Sequence, residues 1–201
     1  MPRKILLRSC SLNLEFGVYS LPMAFEIRIC RPQDSAGVVR AVKAVYDEYG
    51  FSWDPDDYHA DLYDLESAFA PPSAWLWVAE EQNQILGCGG LAVFEKVPGE
   101  PDTVVELDGY RRLAGTDCEL LRLYVHPEAR RKGVGSTIFQ EVLRQAEELG
   151  REAMEIWSDK RFVDAHRLYE RAGAHVVGDR ICDDPDESPE WGLVLPLGAR
   201  R

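Results

Sequence analysis

The stretch 120–137, LLRLYVHPEARRKGVGST, reads as a buried strand, a short turn, a basic glycine loop and the first turn of a helix. That order builds an anion cradle. A helix starting at Val134 presents amides with no acceptor inside the helix. Those amides and the helix dipole attract negative charge. Gly133 and Gly135 let the backbone curl and approach a ligand with no side chain in the way. Arg130, Arg131 and Lys132 add positive charge to a chain whose net charge is −12.

Other glycine-loop readings fit less well. A Walker A loop needs Gly-x-x-x-x-Gly-Lys-Ser/Thr, and here Lys132 precedes the glycines. A dinucleotide fingerprint needs a third Gly or Ala where this chain has Ile138, and it normally follows the first strand of its unit. Asp159 does stand roughly where a ribose-binding acid would. A solvated turn that happens to hold Gly and Arg is the plain alternative.

The neighbouring residues decide between these. Arg130-x-x-Gly133-x-Gly135 matches the [RQ]-x-x-G-x-[GA] motif of the GNAT N-acetyltransferase superfamily, and the run Glu119 to Pro127 resembles the strand that leads into it. Downstream, Ala165, Leu168, Tyr169, Glu170 and Gly173 resemble the family's A-x-x-L-Y-E-x-x-G helix. Three motifs in order, over roughly residues 25–180, are far more specific than one.

Composition fits a single domain. The chain has 201 residues, enough for one sizeable core. Its acidity argues against a general nucleic-acid binder, which would show a basic face. The five cysteines are scattered with no C-x-x-C pair, so no zinc site or disulfide framework is indicated. A reducing, cytoplasmic setting is the expectation. No apolar run is long enough to span a membrane. Residues 1–24 read as an extension ahead of a domain at 25–198. Arg8 and Glu15 interrupt any secretory apolar core, and Met23 sits just before the first convincing strand. Either translation starts at Met23, or the segment docks as an extra strand.

Along the chain, alternation predicts a strand at 25–31 and Asp34 as cap of a helix carrying Val38, Val42, Val45 and Tyr49, stopped by Gly50. Asp54 and Pro55 predict a second helix with the stripe Tyr58, Leu62, Leu65 and Phe69, ended by Pro71 and Pro72. Residues 75–80 and 85–94 form a hairpin in which Gly87, Gly89 and Gly90 signal a bulge or a close neighbour. Residues 96–117 are an excursion with at most short strands. A strand at 119–125, a helix at 134–149, a strand at 152–157 and a helix at 162–172 follow, then strands at 175–178 and 190–195. The β–α–β step over 119–157 requires a parallel pair with a right-handed crossover. The fold class is α/β (α+β), a mixed central sheet flanked by about four helices, the layout that the resemblance implies.

The resemblance implies acetyl-CoA as co-substrate and no metal. Its pyrophosphate would lie on Arg130, Arg131, Lys132, Gly133, Val134, Gly135 and Ser136. Its pantetheine arm would lie along Leu123, Tyr124 and Val125, where this strand splays from Ile156, Trp157 and Ser158. The family often places an Asn after that second strand; residues 156–165 contain none, so Ser158 or Arg161 would replace it. Glu119 falls where the family's carboxylate base often lies, and Tyr169 where many members place the acid that protonates the leaving thiolate. His59, His126 and His166 read as packing or surface residues. Tyr46, Tyr49, Trp53, Asp54, Asp56, Asp57 and Tyr58 offer aromatics and carboxylates that would hold a cationic amine. The acceptor is a small-molecule or protein amine, with no nucleic acid or membrane partner and with a homodimer as an option. A catalytically silent acyl-CoA sensor or interaction module on the same fold is the rival reading.

Overall fold

The computed structural model describes residues 24–198, so the readings for residues 1–23 lie outside the described residues. Seven strands form one mixed sheet in the order β1–β2–β3–β6–β7–β9–β8. They are β1 Glu26–Ile29, β2 Ala74–Glu81, β3 Gln84–Val93, β6 Cys118–Val125, β7 Ala153–Asp159, β8 His175–Ile181 and β9 Pro189–Pro196. A separate hairpin, β4 Val104–Leu107 with β5 Tyr110–Leu113, fills the 96–117 excursion. The described residues hold four α-helices: α1 Ser35–Tyr49, α2 Leu65–Ala68, α3 Val134–Glu148 and α4 Val163–Ala172.

Helices cover both faces of the sheet. The stripe Val38, Val42 and Tyr46 of α1 packs with Leu76, Val78 and Cys88 on one face. On the other, Phe139, Val142 and Ala146 of α3 and Tyr169 of α4 pack on Leu91, Leu120, Met154, Ile156 and Leu193. Gly50 ends α1 in the left-handed conformation, at φ 71°, as its position after the apolar stripe predicts.

Two expectations need correction. Asp34 does not cap α1 through its side chain; its carboxylate accepts from Arg28 and from the Arg31 amide. The second helix is not continuous. Asp54 Oδ1 accepts from the amides of Asp56 and Asp57, which makes a turn in place of a helical start. Arg122 takes the Tyr58 carbonyl, which a helix would have given to Leu62, and grips Asp61 with two bonds. A 3-10 turn at Ala60–Leu62 and the short α2, capped by Asp64, are what remain.

The feature that creates a cleft lies at the middle of the sheet. β6 and β7 run parallel but pair only at Cys118↔Met154 and Glu119↔Glu155. β6 follows β3 to Val125 and β7 follows β9 to Asp159, so beyond Glu119 the two strands part. The β3–β6 register slips by one between Cys88 and Gly90, a bulge that puts the extra residue in β6. Arg122 sits there at φ 49°. Gly87 permits the close approach on the partner strand, because a Cβ there would lie 2.5 Å from the Tyr124 carbonyl oxygen.

Candidate active site

The parting strands open a cleft of about 620 Å³. Leu123, Tyr124 and Val125 form one wall, and Ile156, Trp157 and Ser158 the other. The start of α3 closes one end of it. Gly133 is the N-cap of α3 at φ 85°, and no side chain caps the helix. Apart from its own chain neighbours, none of the described residues comes within 4 Å of where a Cβ on Gly133 would stand. The first turn of α3 contains no acidic residue, so its positive end is uncompensated by its own side chains. Ser136 and Thr137 donate their hydroxyls back to the Gly133 carbonyl, which holds the turn in shape.

Most of the residues expected around an anion do gather here. Arg130, Arg131, Gly133, Val134, Gly135 and Ser136 all line the cleft. Lys132 is exposed on the same loop but not on the cleft wall. Arg130 is also held by α1, with its guanidinium 2.6 Å from Glu48.

Glu119 and Tyr169 lie on opposite faces of the sheet. Tyr169 belongs to the α3–α4 core, its ring centroid 5.4 Å from that of Phe139, and it lines the cleft. Among the described residues its hydroxyl has no hydrogen-bond partner, and burial pushes its pKa up. Glu119 is half-buried on the α1 face, one residue before Leu120, which lines the cleft; Glu119 itself does not. Burial, and then the charge of Glu155, push its carboxyl up to about 7.

The acceptor end is more mixed than the sequence suggests. Tyr46, Tyr49 and Tyr58 line the cleft as expected. Trp53 instead stacks on His59 at 3.9 Å between centroids; Asp54 accepts from the amides of Asp56 and Asp57 in a tight turn, and none of these three acids lies on the cleft wall. The carboxylates on the wall are Asp159, Asp164, Asp184 and Glu190, joined by Phe51, Phe162 and Arg122. Sequence reasoning missed these. The acidic loop at 183–188 was a visible signal, but its position beside residues 51–58 depends on the strand order. Asp186 accepts from the Ser52 amide at 2.7 Å and from its hydroxyl at 2.8 Å, linking the two loops. Glu190 is buried, paired with Arg180 at 2.6 Å, and burial raises its pKa. Ser158 meets His166 Nε2 at 3.2 Å, and Arg161 pairs with Asp159, so neither hydroxyl nor guanidinium stands unpaired in the place of the missing Asn.

A family model described as the acetyltransferase (GNAT) family matches residues 40–174. This chain belongs to that family. Like other GNAT proteins it is therefore an acyltransferase. It is 29% identical over 143 residues to the uncharacterized N-acetyltransferase YjgM of Escherichia coli K12, covering 70% of this chain and 76% of that one. A GNAT-family acetyltransferase from Staphylococcus aureus Mu50 has the same fold, with a TM-score of 0.67 at 15% identity, covering 87% of this chain and 99% of that one. The protein yncA of Salmonella typhimurium, solved with acetyl-CoA, superposes with a TM-score of 0.60 at 17% identity, covering 88% of this chain and 95% of that one.

Proposed function

We propose that this GNAT protein transfers an acetyl group from acetyl-CoA directly to a primary amine. The observation that carries the reading is the parting of β6 from β7 directly ahead of an uncapped, acid-free helix N-terminus. A pyrophosphate fits the amides of residues 131–136, with Arg130 and Arg131 beside it. The unpaired inner edges of β6 and β7 fit an extended amide-bearing arm. The thioester supplies an activated acyl carbon, and the protein's residues manage the protons around it.

A lysine-like amine has a pKa of about 10.4, so freeing it at pH 7 costs roughly 4.6 kcal/mol. Glu119 takes the proton that the amine loses, directly or through water. Its raised proton affinity suits a base working near neutrality. Tyr169 donates to the departing sulfur; its hydroxyl has no competing partner among the described residues, and burial keeps it protonated. Tyr46, Tyr49 and Tyr58 shape the acceptor end, with Asp184 on the same wall.

Release of free thiol from acetyl-CoA with a panel of primary amines tests this reading. Glu119→Gln should abolish the rise of kcat/KM with pH near pH 7 and lower kcat roughly a hundredfold. Tyr169→Phe should lower kcat roughly tenfold or more with little change in stability, because the hydroxyl it removes has no partner among the described residues. Full activity in both variants would contradict the assigned roles.

A further inference from the structure

Glu119 has a neighbour that the proposed mechanism does not use. In the β6–β7 pair it stands directly beside Glu155, and residues opposite each other across a ladder share a face. Glu155 is fully buried. Its Oε1 accepts from Arg112 Nε at 2.5 Å and its Oε2 from the Leu113 amide at 2.9 Å; the Thr116 hydroxyl, which donates to the Leu113 carbonyl at 2.7 Å, lies 3.3 Å from Oε2. All three groups come from the excursion that carries the β4–β5 hairpin. Glu119 has no hydrogen-bond or ion-pair partner of its own among the described residues.

Glu155 on β7, Arg112 on β5, Arg180 on β8 and Glu190 on β9 act on Glu119 through their charges. Arg180 is committed to Glu190 at 2.6 Å and lies over the Trp157 ring. Asp117, two residues before Glu119, turns away to the amides of Glu152 and Ala153. Two adjacent carboxylates are thus left with one guanidinium. Like charges this close in a buried place do not both ionise freely, and the pair retains a proton. The donors are spent on Glu155 and none of them reaches Glu119, so the proton of the pair falls to Glu119. Among the described residues the guanidinium is not drawn off by a second acid: its Nη2 is buried without a hydrogen-bond partner, and it lies over the Phe94 ring.

We propose that Arg112 is a positioning residue: by engaging Glu155 and leaving Glu119 without a donor, it assigns the pair's proton to Glu119 and sets the pH at which Glu119 is free to act. The inference rests on Glu119 being the base, and the hairpin is the element that delivers it. Arg112 touches no reacting atom. Its side chain is 22% exposed, so a change there is tolerated better than one at Glu155.

The test compares the pH profile of kcat/KM with the titration of Glu119 itself, read by carbon-13 carboxyl NMR. In Arg112→Gln the uncompensated charge of Glu155 should move the acidic limb up by about one pH unit or more, a roughly tenfold loss below the limb with the plateau kept. Arg112→Lys should restore most of the limb. Glu155→Gln, where it folds, should move the limb down. A uniform loss of rate with an unmoved limb in Arg112→Gln would mean a merely structural role and overturn the proposal. An unmoved NMR titration of Glu119 in that variant would overturn it too, whatever the rates do. If instead the NMR titration moves while the limb does not, and Glu119→Gln keeps the wild-type limb, the assignment of Glu119 as base has failed and the electrostatic link stands.

Discussion

Glu119 is the residue at which stability and the proposed chemistry pull apart. A carboxyl whose pKa is higher in the folded than in the unfolded state costs stability as pH rises from the unfolded value through the folded one. Its ordinary value is 4.5 and its folded value about 7, so the cost is absent in acid and full above pH 7. Glu119→Gln should therefore stabilise the protein at pH 8 by on the order of 1–3 kcal/mol and by nothing at pH 4, read from urea melts at the two pH values. Equal stability differences at both would contradict the burial account. The sequence marks Glu119 and Tyr169 as candidates, because each sits at a fixed offset within a motif. It does not mark Glu155 and Arg112. Glu155 reads as one charge within a strand, and Arg112 lies in an excursion with no periodicity; only the docked hairpin brings them together.

At the level of elements, local chemistry was legible wherever it agreed with the tertiary demand. Gly50 closes α1, the glycines of β3 announce the bulge opposite Arg122, and Gly133 opens α3. The second helix failed because its acids had better partners. Asp54 turned on its own backbone, and Arg122, distant in sequence, took Asp61 and the Tyr58 carbonyl. Periodicity in 58–69 marked the buried side correctly, since Leu62 and Leu65 are buried, but it did not fix the backbone. The bulge gives a prediction of its own. Gly87→Ala would force a Cβ to within 2.5 Å of the Tyr124 carbonyl, a backbone atom that yields only by shifting β6. It should cost roughly 1–3 kcal/mol in denaturant melts and weaken acetyl-CoA binding together with stability. Unchanged melts and binding would show that the β3–β6 contact does not hold the cleft wall.

Over the whole molecule, one sheet is split at its centre and bound on both flanks. β1 to β3 carry the wall that includes β6, while β9 and β8 carry the wall that includes β7. The two halves meet again at the cleft mouth, where Asp186 joins Ser52. Asp186→Ala should speed hydrogen exchange at the Ser52 amide and across residues 182–188, with a stability change under about 1 kcal/mol because the bonds are exposed. Unaltered exchange would mean that the loops are held by other contacts. The motifs made the parallel step and its cleft legible, but the insertion of β9 between β7 and β8 was not, since it depends on which edge the last strands choose. That order puts Asp184 and Glu190 on the cleft wall. The central claim is that acetyl-CoA binds between β6 and the start of α3. The direct measurement is a thermal-shift titration of the wild-type protein and Ser136→Glu with acetyl-CoA. A Glu in the first turn of α3 favours the helix yet repels phosphate. At a hundredfold excess over Kd the wild type should gain about 2.7 kcal/mol, a shift of roughly 5–10 °C, and Ser136→Glu should fold normally and lose most of it. A folded wild type that shows no shift, or a variant that shifts equally, would contradict the claim.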